Sequence, residues 1–283
     1  MRIVPLPSQE SLSLTNSGEL ELFFIGVGSA LAMKHFQLNF LIIKGDAHVM
    51  VDFGMTAPIA LAQTARLKLA DIEVVLPTHS HADHVGGLES LVLTNRYVGQ
   101  PFMKKPKTKA IINEEYQRIL WDYTLRGGLE HNEGAGGGDI LTFSDYFDVV
   151  RPSWSCYSPR EIFKVDYNGI KIELFRTKHI PDIANSWEAS FISYGLFIDE
   201  RIFVSMDTRF DMDLINLYAP RAEVMFHDVQ FFSGAVHAPL SDLKTLPDSI
   251  KSKMYLMHYS DDYEQHDISD FAGWTQQGVR YVF

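Results

Sequence analysis

The sequence predicts a layered α/β (α+β) sandwich, and three observations predict it. Short apolar runs bounded by turn residues recur along the chain, opening with the order strand, strand, helix, strand. An Asn168-Gly169 pair joins two such runs, at residues 161–166 and 170–175, in the manner of a tight hairpin, because Asn-Gly tolerates the positive φ the turn demands. Finally, His79, His179, Asp207 and His258 each stand just past the end of an apolar run, where strand ends along one edge can converge.

Taken in order, residues 19–25 read as the first core strand, stopped by Gly26-Val27-Gly28-Ser29. Those glycines lack the third member of a dinucleotide fingerprint and no regular amphipathic helix follows, so they read as a tight turn. Residues 39–43 and 48–53 form a strand pair around Lys44-Gly45-Asp46, residues 57–67 an amphipathic helix, residues 72–77 a short buried strand and residues 88–98 a second helix. Lys104, Lys105, Lys107 and Lys109 make the one dense basic run, read as a solvated face, with an anion-attracting lip as the functional alternative. Asn113 is placed to cap a helix whose first turn holds Glu114 and Glu115. The glycine-rich segment 126–138 is the least regular part and belongs to an insertion or lid at about 121–151. Beyond the Asn-Gly hairpin, residues 190–198 and 201–205 form another around Asp199-Glu200, and residues 222–226 and 253–257 are further strands. Ser241 begins a short helix, residues 268–274 are amphipathic, and residues 279–283 close the chain as a strand.

Composition narrows the function. With 283 residues and 46% hydrophobic content the chain can bury one large core, and no linker-like stretch divides it, so residues 1–283 read as a single domain. A net charge of −11 argues against a long nucleic acid and leaves a small anionic substrate as the expected partner. Cys156 is the single cysteine, which excludes an intrachain disulfide and suits a reducing cytoplasm. No apolar run reaches membrane-span length and residues 1–17 lack a secretory pattern, so the expectation is a cytoplasmic protein without a membrane partner.

The chemistry is concentrated in Thr78-His79-Ser80-His81-Ala82-Asp83-His84, followed by Val85-Gly86-Gly87. Imidazole and carboxylate are ligands for zinc, manganese, iron or cobalt, and the His79-x-His81 alternation in extended backbone lets two rings face one ion. The alternative is a polar loop with clustered histidines, but only 11 of the 283 residues are histidine, which makes three within six positions hard to credit to chance.

This stretch resembles the signature of the metallo-β-lactamase superfamily, whose fold is an αββα sandwich with metals at one edge. The resemblance implies two divalent ions, zinc first among them: His79, His81 and His179 on one, Asp83, His84 and His258 on the other, and Asp207 bridging. It also implies that Asp52 braces the metal loop without touching metal, and that Asp83 can accept a proton from a water held between the ions. Phe24-Ile25-Gly26-Val27-Gly28-Ser29-Ala30 and the segment His227-Asp228 to His237 resemble the ribonuclease Z-like branch. There, by resemblance, His237 is the general acid for the leaving oxygen and Asp228 orients it.

Asp228 and Ala238 depart from the glutamate and the Ser or Thr usual in ribonuclease Z itself. The basic tRNA-binding arm expected between His179 and Asp207 is also missing. The resemblance therefore implies a phosphodiesterase acting on small phosphodiesters such as cyclic nucleotides, by attack of metal-activated hydroxide. A lactonase or other carboxylic-ester hydrolase, ribonuclease Z-like processing of RNA, and a non-catalytic binding protein are the competing expectations. Analogy with relatives adds a homodimer.

Overall fold

The computed structural model describes residues 1–133 and 140–283. Residues 134–139, which hold the end of the glycine-rich segment, lie outside the described residues. In chain order the strands are β1 (Arg2–Pro5), β2 (Glu21–Gly26), β3 (Asn39–Lys44), β4 (Ala47–Val51), β5 (Val74–Leu76), β6 (Lys109–Ile111), β7 (Asp148–Val150) and β8 (Ser153–Cys156). They continue with β9 (Ile162–Tyr167), β10 (Ile170–Arg176), β11 (Tyr194–Ile198), β12 (Ile202–Val204), β13 (Val224–Asp228), β14 (Met254–Met257), β15 (Gly273–Trp274) and β16 (Val279–Val282). The chain divides into two compact units, neither continuous in sequence: residues 1–25, 39–152 and 278–283 in the first, residues 26–38 and 153–277 in the second.

The first unit holds the sheet β1-β16-β2-β3-β4-β5-β6-β7, so the last strand of the chain inserts between the first two. β2, β3 and β4 are buried almost throughout, as their apolar runs require. β4 pairs parallel with β5 and antiparallel with β3. Consequently the end of β4, the end of β5 and the start of β3 share one edge, which delivers Asp52, Thr78 and Asn39 to the same place.

Two features of this unit differ from the sequence pattern. The expected helix 57–67 is a helical turn, Ala57–Ala60, that widens over Leu61–Ala65 and stops at Arg66, whose φ is 55°. The helix expected at 88–98 likewise widens after Thr94. Asn113 caps Glu114–Leu120 as expected, its side chain accepting from the Tyr116 N–H. Within the basic run, Lys105 pairs with Glu73 at 3.1 Å and Lys107 with Asp148 at 2.8 Å, which favours the solvated-face reading for those two side chains.

The second unit holds the sheet β15-β14-β13-β12-β11-β10-β9-β8. β12, β13 and β14 are parallel neighbours, and two antiparallel steps through β11 bring β10 back to the same direction. The carboxyl ends of β10, β12, β13 and β14 therefore leave one edge together. The hairpin turn carries Asn168 and Gly169 at φ 50° and 91°, and Asp199 and Glu200 adopt 48° and 57° without any glycine. The strand expected from 190 starts at Tyr194, because residues 190–193 are drawn into loop contacts such as Thr177 N–H to the Ser193 carbonyl. Residues 268–274 form turns and the two-residue β15 in place of an amphipathic element, with Asp267 accepting from the Ser269 N–H. No helix among the described residues is long and apolar enough to cross a membrane.

Candidate active site

Each unit gathers its own cluster of imidazoles and carboxylates. In the first, the chain leaves β5 through Thr78 and His79 and turns at extended His81 into the helical turn Ala82–Val85. Thr78, His79, Asp83 and His84 are buried and His81 half-buried. Asp52 organises the group: Oδ1 accepts from the Thr78 N–H at 2.7 Å, and Oδ2 accepts from Thr78 Oγ1 at 2.8 Å and from His84 Nδ1 at 2.6 Å. Burial pushes the Asp52 carboxyl above the usual carboxylate range, against the pull of His84 and Thr78.

These bonds fix tautomers. Because Thr78 Oγ1 gives its proton to Asp52, it accepts from His79 Nδ1 at 3.2 Å and leaves His79 Nε2 unprotonated, 3.1 Å from His81 Nδ1. His84, with Nδ1 committed to Asp52, holds Nε2 at 3.3 Å from Asp83 Oδ2.

Three glycines make the close approach possible. A Cβ on Gly54 would fall 1.8 Å from the Asp83 carbonyl, and one on Gly87 2.4 Å from the Gly54 carbonyl. One on Gly86 would fall 2.5 Å from the Ala82 carbonyl. The Phe53 N–H bonds the His84 carbonyl at 2.7 Å, so the loop after β4 and the histidine loop are zipped backbone to backbone. The Gly86-Gly87 pair of the sequence signature is thus a packing requirement.

In the second unit, His179 follows β10, Asp207 follows β12, Asp228 ends β13 and His258 follows β14. All four are buried. Asp207 lies between two imidazoles: Oδ2 is 3.6 Å from His179 Nε2 and Oδ1 is 3.7 Å from His258 Nε2. Asp228 lies between two others, with Oδ1 3.3 Å from His258 Nδ1 and Oδ2 2.7 Å from His237 Nδ1. His179 Nδ1 donates to the Val236 carbonyl at 2.9 Å, tying the His237 loop to the end of β10.

Side chains of Asp207, Asp228, His237 and His258 can each present a ligand atom within 4.8 Å of the others. Burial opposes charge on both Asp228 and His237, yet their mutual attraction prevails: the Asp228 carboxyl is held below its usual range and the His237 imidazole above. His237 is the exposed member, with 22% of its side chain accessible against 0% for Asp228.

Asp52, Met206 and His258 adopt positive φ (58°, 46° and 59°), an uncommon conformation for residues with side chains, and each lies where a strand ends at one of the clusters. Several buried hydroxyls in these loops were not assigned a role from the sequence. Thr177 Oγ1 donates to the Asp207 carbonyl, Ser205 Oγ accepts from the Asp228 N–H, and the Thr208 N–H bonds Asp228 Oδ2. A signal existed: Thr78, Thr177 and Ser205 stand one or two residues before His79, His179 and Asp207. His131 is exposed beside Glu130, its side chain three-quarters accessible.

Donors in both clusters are nitrogen and oxygen alone, a set suited to divalent zinc, manganese, iron or cobalt, and the tautomers turn imidazole lone pairs inward. Comparison with known proteins identifies the family. The family model described as Anti-Pycsar protein Apyc1 matches residues 20–281. An Anti-Pycsar protein Apyc1 from Paenibacillus sp. (strain J14) is 38% identical over 248 residues, 87% of this chain and 91% of that one. Among solved structures, the metallo-β-lactamase fold protein YhfI from Bacillus subtilis aligns at TM-score 0.65 and 12% identity, covering 94% of this chain and all (100%) of that one. A diphosphatase of the PhnP family aligns at TM-score 0.68 and 13% identity, covering 93% and 98%. The fold expected from residues 79–87 is borne out, and the chain belongs to the Anti-Pycsar protein Apyc1 family, with the metallo-β-lactamase fold.

Proposed function

We propose that the protein is a phosphodiesterase that opens small phosphodiesters, cyclic nucleotides foremost, with His237 as general acid. Family membership supports a metal-dependent phosphoesterase, and the buried imidazole and carboxylate groups suit two divalent ions; the substrate, the metal and the individual roles are our reading. In that reading His79, His81 and His179 would hold one divalent ion, Asp83, His84 and His258 the other, and Asp207 would serve both, with zinc as the expected metal. When bound, such a pair supplies Lewis acidity that acidifies water and draws charge from phosphoryl oxygens.

The chain's own residues supply the remainder. Asp83 accepts a proton from the attacking water. Asp228, buried and acceptor-only when ionised, fixes His237 through Nδ1 and favours its protonated form, so Nε2–H is the donor left for the departing alkoxide. The observation that carries the reading is this 2.7 Å Asp228–His237 pair, in which the imidazole alone reaches solvent. Substrate size follows from the acidic balance and from the residues between His179 and Asp207, which are used by β11, β12 and their connections, leaving no basic arm. The resemblance of residues 24–30 and 227–237 to the ribonuclease Z-like branch, which includes phosphodiesterases that open cyclic nucleotides, supports the substrate class.

Parallel assays of bis(p-nitrophenyl) phosphate, 3′,5′-cyclic nucleotides and an acyl-homoserine lactone test the reaction; hydrolysis of the lactone alone contradicts it. We also read residues 1–283 as one domain, for which a single cooperative unfolding transition is expected.

A further inference from the structure

We propose that Arg160 is a positioning residue that fixes the spacing of His179 and Asp207. Arg160 is 3% exposed and lies in the loop before β9. Nη1 donates to the Arg176 carbonyl at 2.7 Å and Nη2 to Asp211 Oδ2 at 2.8 Å. Arg176 is the last residue of β10, three positions before His179, and Asp211 stands four positions after Asp207. One planar fork therefore ties the segment that carries the imidazole to the segment that carries the carboxylate.

Asp211 is anchored in turn, because Oδ1 accepts from the Leu214 N–H and caps the helix Met212–Tyr218. Three further links lie between the same segments: Thr177 Oγ1 to the Asp207 carbonyl at 2.8 Å, the Arg209 N–H to the Lys178 carbonyl at 2.6 Å and Thr208 Oγ1 to that same carbonyl at 3.5 Å. None of them involves Arg176, at the start of the His179 segment, or Asp211, at the end of the Asp207 segment. Arg160 bonds both. Desolvating a guanidinium is expensive and is recovered only with good geometry, and lysine cannot reproduce the fork because its ammonium is a single point of charge.

The proposal rests on reading His179 and Asp207 as metal ligands. Its test is the zinc affinity of the full-length protein, measured by chelator competition without substrate, for Arg160→Lys and Asp211→Asn. Thermal melting and steady-state kinetics at saturating zinc accompany it. Loss of partners that orient metal ligands lowers affinity by roughly 10- to 100-fold, the effect expected in both variants. With zinc saturating, kcat should fall while KM moves by less than about twofold. Ile172→Ala, a core change at the opposite end of β10, provides a folded but destabilised reference that should bind zinc normally.

Wild-type affinity in Arg160→Lys and Asp211→Asn overturns the proposal, as does an equal loss in Ile172→Ala at a matched melting temperature. Undiminished zinc binding by His179→Ala overturns the ligand reading beneath it, which separates the two failures.

Discussion

The cluster of the first unit takes four chemistry-bearing residues from positions 79–84, whereas that of the second draws five from positions 179–258. The first is built by local backbone geometry: an extended His81, one helical turn and three glycines that let two loops touch. The second is built by sheet order, since four strands running the same way end along one edge. Their braces differ accordingly. Asp52 bonds one imidazole and a threonine of its own cluster, while Asp228 lies against two imidazoles, His258 and His237. A short motif can thus fix ligand geometry through packing, but a dispersed set needs carboxylates and hydroxyls that cross-link strand ends.

Substitutions can break this comparison, and Asp207→Ala should have the largest effect. It removes the group between two imidazoles and should lower both metal affinity and turnover by more than the roughly 100-fold upper range for an orienting partner. Metal analysis and steady-state kinetics check it. His237→Ala should cost about 100- to 10,000-fold in kcat with metal content unchanged. Loss of metal there would instead place His237 among the ligands, an arrangement its neighbours Asp207, Asp228 and His258 permit.

The two braces sharpen the contrast. Asp52→Asn should weaken metal binding by roughly 10- to 100-fold and leave the pH dependence of kcat in shape. Asp228→Asn should weaken metal through His258 and also shift the limb of the pH profile set by His237 toward lower pH, because the imidazolium loses the anion that stabilises it. Equal behaviour of the two variants would contradict the division of labour.

The smallest effect concerns stability. Burial holds His48 in the first unit and His227 in the second below the ordinary 6.5. The unfolded chain therefore binds more protons than the native one as pH falls through about 6.5, and stability declines on that side. Above it both states are neutral and the penalty vanishes. Denaturant unfolding at pH 7.5 and 5.5 should show a smaller pH difference for His48→Gln than for the parent protein.

Much of this was legible in the sequence because period and punctuation are local properties. Buried strands such as β3, β10 and β14 announced themselves as apolar runs, and the Asn168-Gly169 turn by its residues. Strands β1, β7 and β8 did not, since their side chains are largely exposed and carry no apolar period, and β6 is only three residues long. His79, His179, Asp207 and His258 were read as strand-end positions and each follows a strand, whereas Arg160 was invisible. Its value lies in a carbonyl and a carboxylate distant in sequence, for which spacing offers no pattern.

The proposed function requires the residues read as ligands to hold a pair of divalent ions, and metal stoichiometry tests it most directly. Zinc-reconstituted protein should carry about two ions per chain, falling toward one or fewer both in His84→Ala, from the first cluster, and in His258→Ala, from the second. Full stoichiometry in either variant, with the protein folded, would contradict it.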